Sequence, residues 1–189
     1  MLTSAGRVGV VEEGQDELQD FDALVRQYRP RLFRFLLASV RNRETAENLT
    51  QDCFFRAYQA RAGFRGASSI GTWLMRIAAN LLRDHESNSR LKFWRRNLRA
   101  DADIADLSYA IPDPQRSPEA LAAMREQVRA VWSAAAELPA RQRTVFLLRF
   151  VEDMDLLEIA AATGIKEGTV KTHLFRALQA VRAGLEERK

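Results

Sequence analysis

The chain has 189 residues, of which 47% are hydrophobic and 29% charged, and its formal net charge is +4 with a pI near 9.6. That apolar fraction can bury a core, which excludes a disordered or collagen-like chain. Cys53 is the single cysteine, so no internal disulfide is possible, and the isolated His85 and His173 give no zinc spacing. The longest uncharged run has ten residues, 66–75, against the roughly 18 that a membrane span needs. Residues 1–20 lack a signal-peptide pattern. We therefore expect a soluble, cytoplasmic protein.

The charge alternates in blocks along the chain. Residues 1–20 carry −4, residues 21–100 carry +10, residues 101–118 carry −3 and the remainder carries +1. Such asymmetry suggests a polyanionic partner, and 25 of the 29 basic residues are arginine, which suits bidentate phosphate or base contacts. Arginine richness also follows from a GC-rich genome, and charge alone does not separate the two explanations.

The N-terminal half predicts a compact helical domain at 21–88, preceded by a mobile acidic leader at 1–20. Apolar residues recur at three- and four-residue steps from Phe21, and Pro30 should kink or split that first helix. A second amphipathic helix is predicted at about 44–61. After a short loop, Ser68 or Ser69 should cap a third helix that begins near Ile70.

The middle of the chain reads as a linker, and helices return after it. Periodicity fails from 89 to 117, where a basic stretch gives way to aspartates and prolines. Ser117-Pro118-Glu119 is a helix start, which opens a second domain at 118–189. Helices are predicted at 118–136 and 140–151. The fold class is therefore all-α: two small helical domains joined by a flexible linker.

The C-terminal domain carries a helix-turn-helix pattern. Asp155 and Glu158 form a capping box that opens a short helix ending before Gly164, and a long helix runs from about Glu167 to Glu186. Its apolar side leaves a face of lysine, threonine, phenylalanine and arginine, which suits base edges and thymine methyl groups. An αα-hairpin with a solvated cationic face is the other interpretation. Arg141, Arg143 and Arg149 could grip phosphates, although three acidic residues lie close in sequence.

A second candidate site lies between Phe64 and Leu82. Aromatic residues, cations and a Gly/Ser loop together suit single-stranded DNA, because bases stack on rings while arginine holds phosphate. Taken singly, Phe64 and Trp73 are better explained as ordinary core aromatic residues.

Several segments resemble, in the same order and spacing, the extracytoplasmic-function (ECF) sigma factors, group 4 of the sigma-70 family. Those similar to region 2 of that family are 46–54, 64–66, 72–80 and 83–84; those similar to region 4 are 138–143, 145–149, 158–160 and 168–174. The resemblance covers about 21–186. One departure is Ile70-Gly71, since an aromatic residue is common just before the Thr-Trp pair.

The resemblance implies a bacterial transcription initiation factor that binds core RNA polymerase and directs it to promoters. Region 2 of the family docks on the β′ clamp helices and melts the −10 element, and region 4 reads the −35 element and touches the β flap. The implied −10 residues are Phe64, Arg65, Gly66, Ala67, Ser68, Ser69, Trp73, Arg76 and Asn80. The implied −35 residues are Thr169, Lys171, Thr172, Phe175, Arg176 and Arg149. The implied polymerase surface is Glu47, Leu49, Gln51, Asp52 and Phe54.

Other functions fit the sequence less well. An autonomous helix-turn-helix regulator would need a dimer interface, and neither domain shows a sustained heptad pattern. An enzyme is not supported, because carboxylates do not cluster as a two-metal site requires and no nucleophile–base pair stands out. We expect no cofactor, no metal and no small-molecule substrate. The expected partners are core polymerase, promoter DNA and an anti-sigma factor, which in this family is often membrane-bound.

Overall fold

The computed structural model describes residues 18–93 and 118–186, and both ranges are helical without a β-strand. Most of the predicted leader and linker therefore lie outside the described residues. The helices are α1 (Phe21–Val40), α2 (Arg43–Ala60), α3 (Ile70–Phe93), α4 (Pro118–Ala136), α5 (Ala140–Phe150), α6 (Leu156–Thr163) and α7 (Glu167–Glu186). A short 3₁₀ turn, Arg61–Gly63, follows α2. No helix within these two ranges is long and apolar enough to cross a membrane.

Local capping explains where the first three helices begin. The Asp20 carboxylate accepts a hydrogen bond from the Ala23 amide at 2.9 Å, and the Asn42 side chain accepts one from Thr45 at 2.8 Å. The Ser69 hydroxyl accepts from the Thr72 amide at 3.1 Å, which confirms Ser69 as the predicted cap of α3. Pro30 lies inside α1 without splitting it. Helix α3 continues to Phe93, five residues past the predicted domain end at 88.

The predicted helix-turn-helix is present with its predicted bounds. Asp155 accepts from the Glu158 amide at 2.8 Å, and the Glu158 carboxylate accepts from the Asp155 amide at 2.9 Å, completing the capping box. Gly164 ends α6 at φ 71°, a left-handed conformation that glycine adopts without a Cβ penalty. Ile159 on α6 and Val170 on α7 are fully buried in the same apolar cluster, and the two helices contact each other. The two helices are therefore fixed relative to each other by an apolar contact.

The two domains pack against each other, which the sequence did not predict. Helix α1 contacts α5, and α3 contacts α6. The buried residues of both domains belong to one hydrophobic cluster, with Phe35 and Leu74 on the N-terminal side and Leu148 and Ile159 on the C-terminal side. Polar contacts cross the same boundary: Arg31 pairs with Glu152, and Thr72 hydrogen-bonds Glu158. The tethered domains therefore share an interface in this structure.

Candidate nucleic-acid and polymerase interfaces

The loop before α3 forms a cavity of about 260 Å³, here called the loop cavity. Its walls are Gly63, Phe64, Arg65, Ala67, Ser68, Thr72, Trp73, Arg76 and Ala161. The rings of Phe64 and Trp73 contact each other, with centroids 5.1 Å apart at a tilt of 54°, and both line the cavity. Arg65 and Arg76 are exposed beside them. Stacking surfaces and cations thus converge as single-strand binding requires.

Burial resolves the two interpretations of these aromatic residues only in part. Phe64 is buried and belongs to the core, whereas Trp73 is half-buried. Both nevertheless line the loop cavity. Gly66, Ser69 and Asn80 do not line it; Ser69 instead caps α3, and Asn80 lies one helical turn beyond Arg76. The predicted −10 residues are therefore only partly brought together.

The long helix of the helix-turn-helix presents the predicted face to solvent. Lys171, Thr172, Phe175 and Arg176 are all exposed, and Phe175 leaves 64% of its surface uncovered. Phe175 therefore adds an apolar ring to a face that is otherwise polar and cationic, which suits a thymine methyl group. The Thr172 hydroxyl donates to the Gly168 carbonyl at 2.9 Å, so it can meet a base only as an acceptor.

Two of the cations at this face have partners within their own domain. Lys171 Nζ lies 2.7 Å from Glu167 Oε1 one turn earlier, so part of its charge is paired within the helix. Arg149 is oriented by Asp153 Oδ1 and the Met154 carbonyl, each at 3.3 Å. Thr169 is exposed at the start of α7. The six predicted −35 residues thus comprise five exposed positions on α7, one of them ion-paired within the helix, and a half-buried Arg149 that its neighbours orient.

His173 lies beside this face, although sequence reasoning assigned it no role. Burial lowers the pKa of its imidazole, and the nearby Arg141 and Arg176 guanidinium groups lower it further. A neutral His173 keeps the charge of the face on its arginine and lysine side chains. The helical period of α7 could have indicated this position, because residue 173 lies on the buried side of that 3.6-residue period.

Of the residues predicted for the polymerase surface on α2, some are exposed and others are buried. Gln51 and Asp52 are exposed, and Glu47 is partly exposed with its carboxylate 3.2 Å from Arg43. Leu49 and Phe54 are corrections, because both side chains are 7% exposed and pack in the core. They occupy the inward side of α2, as their spacing from the buried Cys53 and Ala57 requires.

Phe55 and Tyr58 supply the exposed aromatic surface that the sequence interpretation missed. Phe55 is 62% exposed and Tyr58 47%. Phe21 packs edge-on against Tyr58 at 5.1 Å, and the Arg61 guanidinium lies 3.6 Å from the Tyr58 ring centroid. Helical phase could have identified Phe55, which stands one turn from the exposed Gln51 and Asp52.

These features define an all-helical, two-domain protein that ends in a helix-turn-helix with an exposed, cation-bearing second helix. Two family models match the chain: "Sigma-70 region 2" over residues 24–103 and "Sigma-70, region 4" over residues 128–181. The chain is 31% identical over 189 residues to the RNA polymerase sigma-H factor of Pseudomonas aeruginosa, covering 98% of this chain and 97% of the relative. It is 30% identical over 168 residues to the ECF RNA polymerase sigma factor SigX of Bacillus subtilis, covering 89% and 84%.

Two solved structures share the fold. The sigma factor RpoE, in complex with the anti-sigma factor NepR from Bartonella quintana, matches with a TM-score of 0.70 at 21% identity, over 89% of this chain and 98% of that one. CnrH, in complex with the cytosolic domain of CnrY, matches with a TM-score of 0.64 at 21% identity, over 95% and 97%. The chain belongs to the ECF group of the sigma-70 family. It is a transcription initiation factor that directs RNA polymerase to promoters, and an autonomous regulator is not favoured.

Proposed function

We propose that this sigma factor reads the −35 element with the exposed face of α7. The observation that carries the proposal is the outward position of Lys171, Thr172, Phe175 and Arg176 in the N-terminal half of the second helix of a helix-turn-helix. That half is the part of a recognition helix that reaches base edges. Arg176 and Lys171 suit guanine acceptors, and the Phe175 ring suits a thymine methyl group. Arg149 and Thr169 flank the face and suit phosphate contacts.

The loop cavity is the proposed site for a flipped base of the −10 non-template strand. Phe64 and Trp73 offer ring surfaces, and Arg65 and Arg76 lie beside them to hold the backbone. Extruding a base costs a few kcal/mol, which stacking and phosphate contacts in such a cavity offset. Gly66, Ala67, Ser68 and Ser69 complete the loop, and Asn80 is proposed to contact the melted strand beyond the cavity.

The proposed polymerase surface is the outer face of α2. Glu47, Gln51 and Asp52 supply its polar part, and we add Phe55 and Tyr58 as aromatic anchors because interfaces are enriched in exposed aromatic residues. The β′ clamp helices are the proposed partner here. Phe150 and Leu157 are exposed on the C-terminal domain and are the proposed contacts to the β flap.

Three further features of the function follow from the family. The protein contributes binding and strand-opening energy, and we propose no reaction of its own. We place it in the cytoplasm, where the polymerase works. An anti-sigma factor is a proposed partner, since the solved structures that share the fold are RpoE with NepR and CnrH with CnrY.

Run-off transcription with core polymerase on a library of randomised −35 and −10 sequences tests the proposal. Lys171→Ala and Arg176→Ala should each change selection at particular −35 bases by about 1–3 kcal/mol. Arg125→Ala is the matched control, because it removes one exposed charge from α4, outside the helix-turn-helix. Unchanged −35 selection in both α7 variants would show that the recognition face is misassigned.

A further inference from the structure

A buried ion pair joins the two domains. Arg31 on α1 donates from Nε to Glu152 Oε2 and from Nη2 to the Glu152 carbonyl, the second bond at 2.7 Å. The Glu152 side chain is completely buried, although it follows α5 in the opposite domain. Its other oxygen, Oε1, is 3.9 Å from Arg34 and has no hydrogen-bond partner within the described residues. Arg31 is therefore the principal compensation for a carboxylate withdrawn from water.

A second contact closes the same interface at the loop cavity. Thr72, one of the residues lining the cavity, donates from its hydroxyl to Glu158 Oε1 at 3.2 Å. Ala161, on the first helix of the helix-turn-helix, forms part of the cavity wall. The C-terminal domain thus lies against the very loop that the proposed function assigns to the −10 strand.

Gly71 makes room for the ion pair. A Cβ atom at this position would lie 3.3 Å from Arg31 Nη1 and 3.4 Å from the Tyr28 ring. The guanidinium therefore occupies space next to α3 that a larger residue would fill. Gly71 therefore favours the Arg31–Glu152 contact, because it leaves this space open.

The packed arrangement cannot engage both promoter elements together. The −10 and −35 elements are about 25 base pairs apart by their numbering, which is roughly 85 Å along B-DNA at about 3.4 Å per base pair. Ala161 borders the loop cavity, and Lys171 follows it by ten residues, which span at most roughly 36 Å even when extended. The domains must separate, and the 24 residues at 94–117 are long enough to allow roughly 80 Å.

We propose that Arg31–Glu152 together with Thr72–Glu158, here called the interdomain latch, holds the free sigma factor in a closed, self-inhibited state without any partner protein. The inhibitory meaning of closure rests on the proposed −10 and −35 assignments. Closure itself does not rest on those assignments, because it concerns only the distance between two domains of the free chain. A partner that separates the domains, such as core polymerase, must therefore offset the free energy of the latch contacts.

Removing one partner of a buried ion pair gives the clearest prediction. Arg31→Ala leaves the buried Glu152 with only Arg34, 3.9 Å away, in the closed state, whereas in the open state water hydrates the carboxylate. The variant should therefore open. Adding Glu152→Met to Arg31→Ala removes the stranded charge and leaves an apolar side chain of similar length, so the double variant should close again.

Distance measurement on the free, full-length chain tests the latch. Fluorescent donor and acceptor probes are placed at Gln59→Cys on α2 and Arg182→Cys on α7, both exposed, while the native Cys53 is buried. The protein that carries only the two probe cysteines, here called the background protein, should be mainly in a short-distance state. Arg31→Ala should raise the open-to-closed ratio at least tenfold. Arg29→Ala, which removes an exposed charge from the same helix, should change it less than twofold.

Two further variants test whether opening follows from the loss of the Arg31–Glu152 contact. Arg31→Ala/Glu152→Met should return to within about twofold of the background ratio, a recovery that simple damage to α1 would not show. Gly71→Leu should open the chain as Arg31→Ala does, because its side chain takes the space of the guanidinium. A background protein already in the long-distance state, an unchanged Arg31→Ala ratio, or a double variant as open as the single one would each overturn the latch. None of these measurements contains DNA or polymerase, so the proposed function is tested separately by transcription.

Discussion

The Thr72 hydroxyl donates to Glu158 Oε1 at 3.2 Å, while Glu158 Oε2 accepts from the Asp155 amide at 2.9 Å. One carboxylate therefore closes the capping box of α6 and also binds the loop of the other domain. Ser69 extends the arrangement, since its hydroxyl lies 2.9 Å from Thr72 Oγ1 and can donate to it. The start of α3 and the start of α6 are thus fixed to each other by side chains that also define where each helix begins.

Thr72→Val should weaken domain closure without unfolding either domain. The substitution keeps the shape of the side chain but removes the donor to Glu158, and a net hydrogen bond of this kind contributes about 0.5–1.5 kcal/mol. The open-to-closed ratio should rise roughly two- to twelve-fold, as measured by the distance between probes on the two domains. Thr144→Val is the matched control, because the Thr144 hydroxyl bonds the Ala140 carbonyl of its own helix. Equal effects of the two variants would exclude a specific role for Thr72.

Phe54→Ala and Phe55→Ala should separate folding from polymerase binding. Phe54 is buried, so its truncation should reduce the free energy of unfolding by about 3–5 kcal/mol, seen in urea denaturation. Phe55 is exposed, so its truncation should leave stability within about 0.5 kcal/mol of the wild type. It should instead weaken binding to core polymerase by at least about 1 kcal/mol in a fluorescence titration. Full polymerase affinity in Phe55→Ala would remove this residue from the docking surface.

Lys171→Ala and Phe175→Ala should act on DNA binding in different ways. Lys171 brings a positive charge to the DNA, so its loss should reduce the slope of log affinity against log salt in addition to changing the preference at its −35 guanine. Phe175 is uncharged, so Phe175→Ala should leave that slope unchanged and instead alter base preference at one −35 position. Holoenzyme binding to promoter duplexes between 50 and 200 mM salt measures both effects. Glu167→Gln provides a check on Lys171, since it frees the amine from its 2.7 Å partner and should steepen the slope.

The sequence predicted the helices well because each boundary has a local chemical cause. Ser69, Asp155 and Gly164 stop or start helices through contacts within a few residues, and the apolar period identifies the buried side of each helix. The same locality explains the failures. Leu49 and Phe54 were placed on the polymerase surface by their position in a motif, although helical phase directs them inward.

The interface between the domains was beyond local reasoning. Arg31 and Glu152 are 121 residues apart, and each resembles an ordinary surface charge in its own helix or loop. Only the packed structure shows that the carboxylate is buried and that Gly71 leaves space for the guanidinium. Long-range polar pairs of this kind have no periodic signal in a single sequence, whereas apolar helix faces do.

Cys53 should be almost unreactive in the folded protein. The thiol is fully buried and donates a weak hydrogen bond to the Leu74 carbonyl at 3.6 Å. Burial raises its pKa from 9.0 to about 12, with Arg56 opposing the shift. Because the thiolate is the nucleophile, iodoacetamide at pH 8 should label native Cys53 at least about 100-fold more slowly than the urea-unfolded chain. A cysteine at the exposed position Gln59 is the control, and equal labelling rates at 53 and 59 would contradict the burial.

The same pKa shift makes stability depend on alkaline pH. Since the pKa of Cys53 is higher in the folded than in the unfolded state, its contribution to stability is complete below about pH 9 and is lost as pH rises toward 12. Relative to Cys53→Ala, the free energy of unfolding of the wild type should therefore fall by about 2–3 kcal/mol between pH 8 and pH 11. The comparison cancels the titration of tyrosine and lysine residues that both proteins share. A difference between the two proteins that stays constant across this range would show that the thiol ionises as easily in the fold as outside it.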